Sequence, residues 1–81
     1  MSAPDEVTVY GRQGCADTLR TRALLQDADV PYVFVDVEAS ASDAARAAAL
    51  GGSSKVPVVV LPGGAVLVEP PDAALRAHLS R

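Results

Sequence analysis

Eighty-one residues, 49% hydrophobic and 21% charged, suffice for one compact domain spanning 1–81 and are too apolar for a disordered chain. A net charge of -3 with seven scattered basic residues gives no cationic face for a phosphate backbone, so no nucleic-acid partner is expected. A single cysteine forbids an internal disulfide, and with a single histidine it provides no metal site within one chain.

The acidic, polar start Met1-Ser-Ala-Pro-Asp-Glu6 is unlike a secretory signal and is expected to form a flexible N-terminus over residues 1–6. No apolar run reaches membrane-spanning length, which points to a cytoplasmic protein without a membrane partner. Val7–Tyr10 alternates as a strand bounded by Gly11. Ala16–Ala28 is rich in helix formers, with Thr18, Thr21, Leu25 and Ala28 on one stripe, Leu24 beside it, and Arg20, Arg22 and Asp27 toward water. Asp29-Val30-Pro31 ends this helix, because the residue before a proline avoids the helical region. Tyr32–Val37 is a second strand, apolar enough to be expected in the centre of a sheet.

Ser40 or Ser42 caps a second helix, with Asp43 in its first turn, running through Ala44 to Leu50, and Gly51-Gly52 stops it. Val58–Leu61 and Ala65–Val68, separated by Pro62-Gly63-Gly64, predict an antiparallel hairpin. Pro70-Pro71-Asp72 opens a last helix packed through Leu75 and Leu79, with His78 near its C-terminus as a surface or core residue. The predicted order is β-α-β-α-β-β-α, an α/β fold with a four-stranded mixed sheet and helices on both faces.

Cys15 stands where the first strand hands over to the first helix, after Gly11-Arg12-Gln13-Gly14 and before Ala16-Asp17-Thr18. The free N–H groups and the macrodipole of a helix start favour a thiolate, the nucleophilic form of the thiol. A lone cysteine is otherwise a small buried apolar residue, but small and polar neighbours here argue for an exposed loop. Arg12 is placed to stabilise the thiolate and Asp17 to oppose it, although Asp17 also reads as an acid favourable to the helix dipole. Thr18 either donates its hydroxyl to the sulfur or is a solvent-facing or locally bonded first-turn residue.

This order, with Cys15 at the first strand–helix junction and Val56-Pro57 just before the third strand, resembles a glutaredoxin from about Val7 to Leu79. The resemblance implies a thioredoxin-like fold, a catalytic Cys15, and a cis Pro57 facing it. It further implies that Val56 pairs its carbonyl and N–H with an extended substrate backbone. Gly51–Pro57 and Pro62–Asp72 resemble most closely the mycoredoxin branch of actinobacteria, which uses mycothiol in place of glutathione.

The chain departs from the family pattern at several points. Thr18 stands where dithiol members carry a resolving cysteine, so an intrachain dithiol cycle is excluded. Asp17 replaces the aromatic often found inside the motif, and Gly14 stands where an aromatic precedes the cysteine. Glu69-Pro70-Pro71-Asp72 replaces a Gly-Gly-x-Asp segment, with Asp72 retaining the acid, and Lys55 replaces a threonine and either meets a substrate carboxylate or is solvated.

The expected function is monothiol reduction of mixed disulfides between proteins and a small thiol. Cys15 is the nucleophile, and Arg12, Gly14, Thr18, Lys55, Val56, Pro57 and Asp72 form the thiol-binding surroundings. No bound cofactor is expected. The cosubstrate is mycothiol or glutathione, and the protein is a monomer. The rival readings are a dimer holding a [2Fe–2S] cluster, which the absence of C-G-F-S disfavours, and a redox-inactive interaction module.

Overall fold

The computed structural model describes residues 6–80, so the flexible segment expected at 1–6 lies, apart from the exposed Glu6, outside the described residues. Four strands form one sheet: β1 (Val7–Gly11), β2 (Tyr32–Asp36), β3 (Val58–Val60) and β4 (Val66–Val68), in the order β2-β1-β3-β4. The β1–β2 pair is parallel, whereas β3 runs antiparallel to both β1 and β4. Three helices, α1 (Ala16–Asp27), α2 (Ala41–Gly51) and α3 (Asp72–Leu79), complete the expected β-α-β-α-β-β-α order.

The two-residue period of the strands sorts the core into two layers. Val7 and Val9 of β1 and Val59 of β3 pack with Leu24 and Leu25 of α1 and Leu75 of α3. Tyr10 and Val58 point the other way, onto Ala47 of α2. Full burial of each such aliphatic side chain contributes roughly 1.5–3 kcal/mol.

The expectation of a central second strand is corrected: β1 is central, and β2 lies on the edge with Val33 44% exposed. Its apolar run has another cause. Tyr32 and Phe34 pack into the α1/α3 layer while Val35 joins the α2 layer, so β2 is apolar on both faces without being flanked on both sides.

Helix α1 ends at Asp27, with Ala28 as its exposed C-cap, and Asp29 takes the left-handed conformation (φ 60°) that aspartate tolerates. The buried stripe of α1 is therefore Thr18, Thr21, Leu24 and Leu25, without Ala28. Arg22 also departs from its expected solvent position. Its guanidinium lies 4.0 Å from the Phe34 ring centroid, and its Nε donates to the Tyr32 hydroxyl at 3.1 Å.

Of the two candidate caps for α2, Ser40 accepts the Asp43 N–H at 3.3 Å, and Ser42 bonds only to the Ser40 hydroxyl. Gly52 closes α2 with φ 78°. Pro71 is the N-cap of α3 and Asp72 its first residue.

Candidate active site

The local sequence fixes the cysteine at a helix start. After Gly11 the chain turns tightly, the Cys15 N–H bonding back to the Arg12 carbonyl at 3.1 Å. Cys15 is extended (φ -87°, ψ 124°) and is the N-cap of α1, its carbonyl accepting the Leu19 N–H at 3.0 Å. The side chain is partly exposed. Its thiol pKa lies below the ordinary value, first because of the Thr18 backbone N–H and then the Thr18 hydroxyl, helped by the Asp17 N–H. Partial burial and the negative charge of Asp17 act in the opposite direction. The sulfur makes no fully formed capping hydrogen bond, so these donors act as nearby oriented dipoles.

Thr18 is not solvent-facing: it is fully buried beneath the cysteine. Its Oγ1 accepts the Arg12 N–H at 3.4 Å, which leaves the hydroxyl proton free for the sulfur. Gly11 makes this seat possible. A Cβ there would lie 2.6 Å from both Oγ1 and Cγ2 of Thr18, so the end of β1 carries no side chain.

The remaining sequence-predicted residues fall into two groups. Arg12, Lys55 and Val56 come together around a cavity of about 220 Å³, floored by Ala47 and Ala48 of α2. Lys55 is exposed, its N–H held by the Ser53 hydroxyl at 3.2 Å, while Val56 and Pro57 are buried. The Val56–Pro57 bond is cis. The Tyr10–Val58 pairing brings Pro57 alongside Gly11, at the same end of the sheet as Cys15. Gly14 is exposed and does not line the cavity.

Asp72 sits apart from that cavity at the start of α3, and it is not free. Arg20 Nε donates to its Oδ1 at 3.3 Å while Arg20 Nη1 donates to Asp17 Oδ1 at 2.8 Å. Sequence reasoning missed Arg20, which it placed toward water. The three-residue spacing from Asp17 was a usable signal, whereas the link to Asp72 spans 52 positions and left none. A larger cavity of about 470 Å³ lies at the opposite end of the sheet beside Val7, Leu61, His78 and Leu79, remote from Cys15. His78 bonds to the Ala74 carbonyl of its own helix through Nδ1.

A family model described as Glutaredoxin matches residues 7–66. The chain belongs to the glutaredoxin family. Glutaredoxins are generally thiol–disulfide oxidoreductases, and the single cysteine of this one is compatible with a monothiol mechanism. The glutaredoxin grx-1 from Archaeoglobus fulgidus has the same fold, with a TM-score of 0.83 at 22% identity over 95% of this chain and 88% of that one. A glutathione transferase homolog from Sulfitobacter, solved with bound glutathione, superposes with a TM-score of 0.72 at 19% identity. That match covers 95% of this glutaredoxin and 36% of the homolog. No curated protein matches the chain significantly. The four-stranded sheet with three helices is thus a thioredoxin-like glutaredoxin fold.

Proposed function

We propose that this glutaredoxin is a monothiol thiol–disulfide oxidoreductase that releases proteins from mixed disulfides with a small thiol. The observation that carries this reading is Cys15 at the N-cap of α1, partly exposed and with a lowered thiol pKa. The Cys15 thiolate attacks the small-thiol sulfur of the mixed disulfide; a new S–S bond forms to Cys15 and the protein leaves as its thiolate. A second small-thiol anion then attacks the small-thiol sulfur on Cys15, yielding the small-molecule disulfide and the free Cys15 thiolate. In sum one small-thiol molecule is oxidised into the small-molecule disulfide while the protein sulfur is reduced to its thiol, and no metal or organic group takes part.

In this reading Thr18 stabilises both thiolate forms of Cys15 from below. Arg12 and Lys55 flank the small thiol at the cavity they share, and Gly14 leaves the approach over the loop open. Val56 presents backbone groups to the small thiol's extended chain, and Pro57 holds that segment at the sheet end. Asp72 contributes from the start of α3. The small thiol is mycothiol or glutathione; the mycoredoxin-like segments 51–57 and 62–72 favour the first. Such chemistry suits a monomer in the reducing cytoplasm. Among the described residues no helix is long and apolar enough to cross a membrane.

The test is reduction of one defined protein mixed disulfide with glutathione or mycothiol as reductant, beside Cys15→Ser. Turnover with either thiol, absent from the serine variant, is expected. No turnover with either would overturn the reading.

A further inference from the structure

Asp17, Arg20 and Asp72 form a three-membered charge group on one flank of Cys15. Asp17 follows the cysteine by two residues in the first turn of α1, and Asp72 opens α3. One guanidinium joins them, Nη1 to Asp17 at 2.8 Å and Nε to Asp72 at 3.3 Å. The two carboxylates therefore stand no farther apart than one guanidinium and two hydrogen bonds. The other charged groups at this end of the molecule are Arg12 in the β1–α1 loop, Asp36 at the end of β2, Glu38 beside Arg12 and Lys55 at their shared cavity, Lys55 before β3, and Glu69 between β4 and α3. Neither Arg12 nor Lys55 forms an ion pair among the described residues, so Arg20 alone compensates the two acids.

Each step at a thiol–disulfide centre handles negative charge near the sulfur: Cys15 must itself be an anion to attack, a thiolate departs, and a second anionic thiol must approach to release Cys15. An uncompensated Asp17 would disfavour the thiolate, and with Asp72 beyond it would make this flank repel anionic partners. We infer that Arg20 is a positioning residue for the Cys15 chemistry, a single guanidinium that holds both carboxylates and keeps this flank open to anionic thiols. The inference rests on the nucleophilic reading of Cys15 and extends it to substrate charge. Two different nitrogens reach two different acids; lysine would supply the charge without the two-point hold.

The experiment is alkylation of Cys15 by neutral iodoacetamide and by anionic iodoacetate, over a range of pH and salt. It needs no turnover, so failure of the mixed-disulfide assay and failure here are separate results. In Arg20→Gln the iodoacetate-to-iodoacetamide rate ratio should fall by about two- to fivefold at low ionic strength, a size suited to exposed charges. The midpoint of alkylation against pH should move up. Both changes should shrink at high salt, where the screening length drops to about 3 Å near 1 M.

Arg20→Lys should keep most of the ratio, and adding Asp17→Asn to Arg20→Gln should restore it. An unchanged ratio and midpoint in Arg20→Gln would overturn the inference, as would a loss that persists undiminished at high salt. Should Arg20→Gln fail to fold, as judged by circular dichroism, Asp17→Asn/Asp72→Asn with Arg20 intact decides. Its ratio should rise and its midpoint fall, and no change in either would overturn the inference.

Discussion

Gly11→Ala asks whether the end of β1, Thr18 and Cys15 behave as one mechanical unit. The added Cβ would lie 2.6 Å from Cγ2 and Oγ1 of Thr18 and 3.1 Å from its Cβ, against an optimal separation of about 3.5–4.0 Å. Thr18 is fully buried, so relief must come from moving the first turn of α1. Gly11 lies in a strand without a positive φ, so the cost is steric. Overpacking of this kind costs about 1–3 kcal/mol, a large share of the total of roughly 4–12 kcal/mol expected at this size. At about 4–8 °C per kcal/mol, Tm should fall by about 5–20 °C.

Displacing Thr18 also takes the strongest donor away from the sulfur, so the pH midpoint of iodoacetamide alkylation should move up toward that of an ordinary thiol. Thr18→Ala removes the two atoms in closest conflict. The double variant Gly11→Ala/Thr18→Ala should therefore be more stable than the sum of the single effects by about 1 kcal/mol or more. Thermal melts and alkylation profiles of the four proteins complete the cycle. Wild-type Tm and alkylation midpoint in Gly11→Ala would refute the coupling.

Cys15→Ser should abolish thiol–disulfide exchange while leaving the circular dichroism spectrum unchanged; residual exchange would show the chemistry to be misplaced. The lowered thiol pKa of the folded chain means that the unfolded chain binds this proton more tightly. The Cys15 contribution to stability should thus be complete above the ordinary thiol value of about 8.5 and be lost as pH falls through the folded pKa. Urea titrations across that window should show it in wild type and not in Cys15→Ser; a stability that declines with rising pH there would contradict the sign. Thr18→Cys places a second sulfur directly under the first, and mild oxidation should remove two mass units and both free thiols; two persistent thiols would place the side chains apart. Leu75→Ala should cost about 2–5 kcal/mol, because Leu75 is the buried anchor of α3, and a Tm near wild type would show that α3 contributes little.

Most elements were legible because their signals are local. The Val7–Tyr10 alternation, the glycine pair at the end of α2 (Gly51 its last residue, Gly52 its cap), the Pro62–Gly64 turn and the Cys15 junction each need only a few neighbouring residues. What escaped depends on contacts between distant segments. The apolar run of β2 reports burial of its two faces, and the same pattern arises on an edge as in the centre. The α1 stripe showed that a buried face exists but left open that Ala28 falls beyond the last turn and that Arg22 covers Phe34. At the site, Arg12, Lys55 and Val56 do share a cavity. The burial of Thr18 depends on its meeting Gly11 across the strand–helix turn, and the engagement of Asp72 depends on a residue 52 positions away.

The place of β1 between two partner strands bears on how the nucleophile survives thermal fluctuation. Val9 and Tyr10 are bracketed by Phe34 and Val35 on one side and by Val59 and Val58 on the other; successive amides of a central strand point to alternate neighbours, so β1 as a whole is released only if both ladders part. Segments of that kind open last, commonly with global unfolding, whereas edge strands and helix ends open through smaller excursions. In native-state deuterium exchange, β1 should therefore form the slowest class and the short β4 edge a faster one. Cys15 is tethered four residues beyond Gly11, the last residue of β1. Its helix start and the Thr18 seat are thus anchored to the part of the molecule that yields last, so fraying elsewhere leaves the thiol's surroundings in place.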